Sequence, residues 1–395
     1  MLRALPKSIS RLISGKIYSV RKLHGKTKRR RIWNSDNDDD GGGGSGSEKG
    51  RKREKNQDAH LFLYKSKGQH LLMNQRILDS IVRKSAIKPT DTVLEIGPGT
   101  GNLTLKLLEA STRVVAVEID ARMVEVLLKR SSECGFRDRL SVIRRDALKT
   151  EFPRFDLVVA NIPYNISSPL IAKLVYGAHH YRSATLLLQK EFAKRLLAKP
   201  GDSEFNRLAV NVKLVADVEH VMDVSKREFL PCPKVDSSVV LIRPRAQIPN
   251  INLNEWLAFT RTCFGKKNKT LGATFKQKKK VMELFSLSET TASNGENTLD
   301  LHSCDCANLE EEEHDEDSGG EEECCSSSGS EMRASLFKEK IMGVLKSSGF
   351  EDKRPSKLSH EELLRLLELF NQAGIYFHDR SNDRAIEKKE AFNSS

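Results

Sequence analysis

No stretch of the chain approaches the roughly 20 consecutive apolar residues that a helix needs to cross a bilayer, which excludes a transmembrane helix. Cysteine is scarce and odd in number. Cys134, Cys232, Cys263, Cys304, Cys306, Cys324 and Cys325 are scattered, which argues against a disulfide framework and for a reducing compartment. Cys304-x-Cys306 and Cys324-Cys325 lack a second Cys/His pair at finger-like spacing, so no metal is expected. No internal repeat is evident. Acidic residues are missing from the first 35 positions, which hold eleven Lys or Arg.

That leader alternates basic and apolar residues, as in Leu2-Arg3-Ala4-Leu5 and Ser10-Arg11-Leu12-Ile13, and carries several serines. Such a composition suits a mitochondrial transit peptide and lacks the continuous apolar run of a secretory signal. A rival reading takes residues 26–31 (K-T-K-R-R-R) as a nuclear or nucleolar signal or an RNA-binding arm. Residues 36–58 are Asp-rich, then Gly/Ser-rich, then Lys/Arg-rich, and cannot bury enough apolar surface to offset the entropy of ordering. Over all 395 residues the formal charge is +12, although 310–317 and 321–323 are strongly acidic. A phosphate-rich partner is the simplest implication.

Ordered sequence is expected from about Phe62. Asn74 can cap a helix carrying Ile77, Leu78, Ile81 and Val82 at helical spacing. Strand-length apolar runs at 92–96, 113–117, 141–143, 156–160 and 185–188 alternate with helical patterns, which predicts an α/β fold with a parallel, doubly wound sheet. Helical patterns at 191–197 and 207–215 precede two more strands, 218–224 and 238–242. Beyond Pro244 the pattern is helical at 254–264, 269–275, 335–345 and 361–370, interrupted by a polar acidic segment.

The run Val93-Leu94-Glu95-Ile96-Gly97-Pro98-Gly99-Thr100-Gly101-Asn102 is a strand entering a glycine-rich turn and a helix. Glycine is expected where a ligand packs on backbone, because a Cβ would take the ligand's place. The dinucleotide fingerprint wants its third glycine where Asn102 stands; here that glycine comes one residue early. This favours S-adenosylmethionine over NAD as the cofactor. Glu118, at the end of the next strand and ~20 residues past the glycines, can accept both ribose hydroxyls. Asp146, after a third strand, can accept from the adenine amino group; a surface carboxylate or helix cap is the plainer alternative for either acid.

After the strand at 156–160 comes Asn161-Ile162-Pro163-Tyr164. Adenine N6 is a poor nucleophile because its lone pair is delocalised into the ring. Methylating it requires acceptors for the N–H hydrogens that favour a more tetrahedral nitrogen. The Asn161 side-chain oxygen and the Ile162 or Pro163 carbonyl can serve, with Tyr164 stacked on the base. Transfer from a sulfonium then needs positioning and electrostatics. Read structurally, Asn-x-Pro-Tyr is only a turn, with Ser168-Pro169 starting a helix.

With these motifs in order, the chain resembles the ribosomal-RNA adenine N6,N6-dimethyltransferase family from about Lys65 to Thr274, and more weakly in its last helices. The resemblance implies a Rossmann-like methyltransferase sheet with a smaller helical C-terminal domain. It implies cofactor contacts from His70 and Leu72 in Ser66-Lys67-Gly68-Gln69-His70-Leu71-Leu72, and from Gly97, Gly99, Gly101, Glu118, Asp146 and Asn161. It also implies catalytic roles for Asn161, Pro163 and Tyr164. In Phe229-Leu230-Pro231-Cys232-Pro233-Lys234 the resemblance makes Phe229 the residue that stacks on the flipped adenine; Cys232 stands where proline is usual. Arg261, Lys266, Lys267 and Lys269 would form a phosphate-contacting ridge, for which a solvated helix face is the alternative. The implied substrate is a pair of adjacent adenosines in a hairpin near the 3′ end of small-subunit rRNA, each dimethylated, free or within a pre-ribosomal particle. Unstacked bases favour a loop over duplex.

The expected division is a leader (1–35), a linker (36–61), a methyltransferase domain (62–244), and a helical C-terminal domain in two parts (245–285 and 331–376). An acidic disordered insert (286–330) separates the two parts, and a flexible tail (377–395) follows. A monomer acting in the mitochondrion, or alternatively in the nucleus or nucleolus, is expected, with no membrane or metal partner. Two other functions fit parts of the pattern. One is a non-catalytic ribosome-assembly or mitochondrial transcription factor on the same fold. The other is a DNA adenine methyltransferase, which shares the Asn/Asp-x-Pro-Tyr chemistry but fits the 229–239 and 261–271 blocks less well.

Overall fold

A computed structural model describes residues 69–266, 268–292 and 328–379; the leader, the linker, Lys267, most of the acidic insert and the last residues lie outside the described residues. The first element, β1 (Leu71–Leu72), leads to α1 (Gln75–Lys84), whose N-terminus is capped by Asn74 accepting from the Arg76 and Ile77 N–H groups. Then follow β2 (Thr92–Ile96), α2 (Asn102–Ala110), β3 (Arg113–Val117), α3 (Ala121–Glu133), β4 (Leu140–Ile143), β5 (Leu157–Asn161), α4 (Ser167–Tyr176), β6 (Ser183–Gln189), α5 (Lys190–Leu197), α6 (Arg207–Val215), β7 (Ala216–Val224), β8 (Phe229–Leu230) and β9 (Ser237–Pro244).

Seven strands form one sheet in the order β4-β3-β2-β5-β6-β9-β7. All run parallel except β9, which is antiparallel to both β6 and β7. The chain lays β3 and β4 on one side of β2, then returns to place β5 on the other. Between β2 and β5 the crossovers diverge, and such a switch point opens a crevice at the strands' carboxyl ends. Strand residues alternate between two apolar clusters: Val93, Val114, Ala116, Leu157 and Val159 join one; Leu94, Val115, Val117, Val158 and Ala160 join the other. Period-two alternation with both sets buried is what a sheet covered on both faces requires.

After β9 come α7 (Leu253–Phe264), α8 (Leu271–Phe275), α9 (Lys278–Ala292), α10 (Ser328–Ser347) and α11 (His360–Gln372). These helices share the larger cluster with the sheet through Trp256, Phe259, Phe275, Phe370 and Phe377. Asn211 on α6 is a buried hinge of polar contacts: its carbonyl accepts from Tyr176 Oη at 2.6 Å and its Oδ1 from Thr260 Oγ1 at 2.9 Å.

Two sequence boundaries move. The acidic insert was expected from 286, yet α9 runs to Ala292, because Leu284 is buried, Phe285 packs edge-on against Phe337 of α10, and Ser288 Oγ accepts from the Tyr376 N–H. The tail was expected to loosen at 377. Instead Phe377 is buried among Phe259, Phe275 and Phe370, and the Phe377 and His378 N–H groups donate at 2.9 Å to the two carboxylate oxygens of buried Glu255. Among the described residues, no helix is long and apolar enough to cross a membrane.

Candidate active site

The carboxyl ends of β2, β3, β4 and β5 open into a cavity of about 450 Å³. His70, Leu72, Gly97, Gly99, Glu118, Asp146, Asn161, Pro163 and Tyr164 all line it, drawn from five separate stretches of sequence. Gly101 and Phe229 are not on its wall.

The glycine turn is closely packed by the protein itself. Gly97, Gly99 and Gly101 have φ of +68°, +55° and +89°, where a side chain is strained. A Cβ at Gly101 would stand 2.5 Å from Leu127 Cδ1, and one at Gly99 2.8 Å from Leu71 Cδ2. At Gly97 the neighbour is Pro163 Cδ, 3.3 Å away, in the turn after β5. The neighbours that a Cβ would meet at these positions are the protein's own side chains, beside the cavity that Gly97 and Gly99 line. Gly101 is the left-handed residue that starts α2 against α3.

Glu118 is buried at the end of β3, with Oε1 accepting from the Asp120 N–H at 2.9 Å and Oε2 from the Gly99 N–H at 3.3 Å. Burial pushes its carboxyl above the ordinary range, and those N–H bonds partly offset the effect. Asp120 is held low instead, by Arg122 and by Gln69 Nε2 at 2.8 Å. Asp146 Oδ1 accepts from the Leu148 N–H at 2.9 Å.

Two further residues were not singled out from the sequence. Glu95, in the middle of β2, is 1% exposed and lines the cavity; its Oε2 has no hydrogen-bond partner, and burial followed by the nearby Glu118 carboxylate pushes its pKa up to about 8. Lys173 on α4 donates to the carbonyls of Ala147 (2.8 Å), Leu148 (3.1 Å) and Thr150 (2.5 Å), with its ammonium 4.4 Å from the centre of the Phe152 ring. It thereby ties the loop after Asp146 to the helix after Tyr164. The sequence signal for Glu95 was a lone acid inside an apolar strand; Lys173 gave none.

At the end of β5, Asn161 Nδ2 donates to the His70 carbonyl at 3.1 Å, which fixes the amide orientation and leaves Oδ1 without a partner among the described residues. The Pro163 carbonyl accepts from the Ile166 N–H at 3.1 Å, closing a tight helical turn. The Ile162 carbonyl accepts from no described residue, so of the two carbonyls left open by the sequence, Ile162's is the uncommitted one. Tyr164 Oη lies 2.8 Å from Ser237 Oγ on β9, and burial raises its pKa. The His70 ring is near-parallel to Tyr164 at 6.2 Å, and His70 Nδ1 donates to the Pro231 carbonyl at 2.7 Å.

Phe229, expected to face a flipped base, instead pairs with Leu72 across β1 and β8 and is 4% exposed within the smaller apolar cluster. Strand alternation decides this: one residue of each two-residue strand faces the core, Leu72 in β1 and Phe229 in β8. Arg261 lies on α7, half-buried, and Lys266 and Lys269 are exposed in the following turn; none lines the cavity, and Lys267 lies outside the described residues. No group of three or more His, Cys, Asp or Glu able to hold a metal occurs among the described residues.

The family model described as "Ribosomal RNA adenine dimethylase" matches residues 63–312. The chain is 65% identical, over 82% of its length and 83% of the relative's, to an Arabidopsis thaliana protein named "Ribosomal RNA small subunit methyltransferase, mitochondrial". It is 45% identical to a Dictyostelium discoideum "Probable dimethyladenosine transferase", over 79% of this chain and 90% of that one. Among solved structures, a dimethyladenosine transferase from Plasmodium falciparum superposes with a TM-score of 0.64 at 38% identity, covering 78% of this chain and all of that one. The 23S rRNA methyltransferase ErmE, at 23% identity and a TM-score of 0.50, shares the fold.

Proposed function

The chain belongs to the ribosomal RNA adenine dimethylase family, and on that premise we propose that it dimethylates N6 of two adjacent adenosines in the 3′-terminal hairpin of small-subunit rRNA, using S-adenosylmethionine. The observation that carries the reading is the pair of unpartnered acceptors, Asn161 Oδ1 and the Ile162 carbonyl, on the cavity wall at the end of β5.

The cavity suits S-adenosylmethionine in its donor set. Glu118 turns a carboxylate toward it for the ribose hydroxyls, Asp146 has a second oxygen for an adenine amine, and Glu95 offers an orphaned buried oxygen toward a cation. Ile119, Leu103 and Met123 supply apolar wall. When bound, the cofactor supplies a methyl group on a positively charged sulfur. Asn161 and the Ile162 carbonyl take the two N6 hydrogens, directing the nitrogen lone pair out of the ring plane and toward that methyl. Tyr164, fixed through Ser237, holds the base flat. His70 links the two halves, since its carbonyl orients Asn161 and its ring contacts the Pro231 carbonyl. We propose that it acts as a monomer.

Single-turnover methylation of a small-subunit rRNA fragment or assembly intermediate tests the reading. Dimethyladenosine in the hairpin is expected; methyl transfer to another base or to DNA alone would overturn it. The non-catalytic alternative is disfavoured by the retained acceptors at Asn161 and Ile162.

We also assign RNA-phosphate contacts to Arg261, Lys266, Lys267 and Lys269. Replacing the three lysines with alanine is expected to flatten the salt dependence of RNA binding by about one unit of slope per lost contact. For location we propose the mitochondrion, supported by the acid-free basic leader and the mitochondrial name of the Arabidopsis relative. Residues 1–60 fused to a fluorescent reporter should enter mitochondria; nucleolar accumulation would point instead to residues 26–31.

A further inference from the structure

The two-stranded sheet of β1 and β8 has two unlike faces. Leu71 pairs with Leu230 and Leu72 with Phe229. Residues directly opposite in an antiparallel pair project from the same face. Leu72 and Phe229 are buried at 4% exposure each, whereas Leu230 is 57% exposed and Leu71, half-buried, lines the cavity beside Leu72. The strand continues through Met73, whose N–H donates to the Glu228 carbonyl at 2.9 Å and whose side chain is 48% exposed. By alternation Met73 shares the face of Leu71 and Leu230. A strip of exposed apolar surface therefore runs from the cavity wall outward along its rim.

The surroundings of this strip are cationic. Arg76 follows Met73 by three positions on the first turn of α1, while Lys226, Arg227 and Lys234 flank Leu230 in sequence; all four are exposed. Two carboxylates lie near: Glu228, opposite Met73, is tied to Asn74 Nδ2 at 2.7 Å, and Asp236 accepts from the Lys226 N–H at 2.9 Å. Exposed apolar side chains set among cations are the chemistry that engages a nucleic-acid strand, with bases on the apolar part and phosphates on the charges.

We propose that Leu230, with Met73 beside it, is the wedge that fills the space left in the RNA stack when the target adenosine turns into the cavity. The proposal rests on the RNA-methylating reading of the same site. An adenine cannot be reached inside a stack, and extruding it leaves its neighbour without a stacking partner. An aliphatic side chain inserted at that step replaces the lost contact. Leu230 is suited to the neighbour and not to the target, because it stands at the rim and does not line the cavity. Phe229, buried on the other face, supports the strand from behind.

The test compares Leu230→Ala with the wild-type chain in single-turnover methylation of two RNAs, the intact hairpin and the same hairpin with an abasic nucleotide beside the target, on the 5′ or the 3′ side. On the intact hairpin the variant should lose about tenfold in kcat/KM, the scale of one lost base-stacking contact. With the abasic neighbour on one of the two sides the loss should fall below twofold, since there is no base left to stack. Leu230→Met should restore most of the rate, and cofactor affinity and Tm should be unchanged in both variants. Equal losses on all RNAs, no loss on the intact hairpin, or weakened cofactor binding would each overturn the wedge. If the wild-type chain methylates none of the RNAs, the underlying reading fails and the wedge with it. That result is distinct from a wild-type chain that is active and a variant that is indifferent to the neighbour.

Discussion

The turn after β2 and the turn after β5 lie side by side on the cavity wall and use their backbone groups in opposite ways. In the first, Gly99 N–H is held by Glu118, Gly101 N–H by the Pro98 carbonyl, and the space beside each glycine is filled by Leu71, Leu127 or Pro163. In the second, Asn161 Oδ1 and the Ile162 carbonyl are left open while the bonds around them fix their direction. One turn has all three glycine N–H groups satisfied and shapes the wall. The other is deliberately short of donors, and a buried or half-buried acceptor without a partner is where a ligand N–H gains most.

Breaking the open turn should have the largest effect. Asn161→Ala is expected to slow methyl transfer by roughly 10²-fold or more, the scale for losing one preorganised polar group at a reacting centre. Binding titrations should find RNA affinity almost unchanged; a wild-type single-turnover rate would remove Asn161 from the chemistry. Glu118→Ala comes next. It should weaken S-adenosylmethionine binding by roughly 1.5–3 kcal/mol, the worth of a hydrogen bond to a charged group, and lower Tm because the Gly99 and Asp120 N–H groups lose their acceptor. Unchanged affinity in titration calorimetry would refute the ribose assignment.

On the saturated side, Gly101→Ala should cost about 1–3 kcal/mol of stability by overpacking against Leu127. Leu127→Ala empties a fully buried site and should itself cost about 2–5 kcal/mol, and the double variant should lose less than the sum of the two in denaturant melts, because the overpacking is relieved while the strain of φ +89° remains. If cofactor affinity falls while stability does not, Gly101 contacts the ligand after all.

The smallest effect sharpens the contrast through pH. Glu95 has its pKa raised to about 8, so the folded, ligand-free protein keeps a proton that the unfolded chain releases near its ordinary value of 4.5. Its contribution to stability is level below about 4.5, falls as pH rises toward 8, and is level again above. Glu95→Gln should flatten the decline measured between pH 5 and 8. A cation bound beside Glu95 favours the carboxylate, so cofactor binding at pH 7 should release a proton, visible in calorimetry with buffers of different ionisation enthalpy.

Most of the sheet was legible because buried parallel strands read as short apolar runs separated by turn residues, as at 92–96 and 113–117. The positions of Glu118, Asp146 and Asn161 followed from the same logic, since strand ends converge at a switch point. What was not legible depended on pairing between distant segments. The sheet of β1 and β8 joins residues more than 150 positions apart in two-residue strands too short to carry a period, and only that pairing decides that Phe229 faces inward. Likewise nothing local to Ser288 or Phe377 announces that α9 and the chain end close on each other; the buried partners on α7 and α10 decide it.

The anchoring of Phe377 and His378 on Glu255 bears on how the molecule is made. A carboxylate buried at 1% exposure has two of its acceptor sites filled by backbone groups that come 122 and 123 residues later. Without residues 377 and 378, Glu255 on α7 would lose two backbone donors. Packing of the helical layer is therefore coupled to the segment that follows α11, and a chain cut before Phe377 would leave those two acceptor sites of Glu255 unfilled.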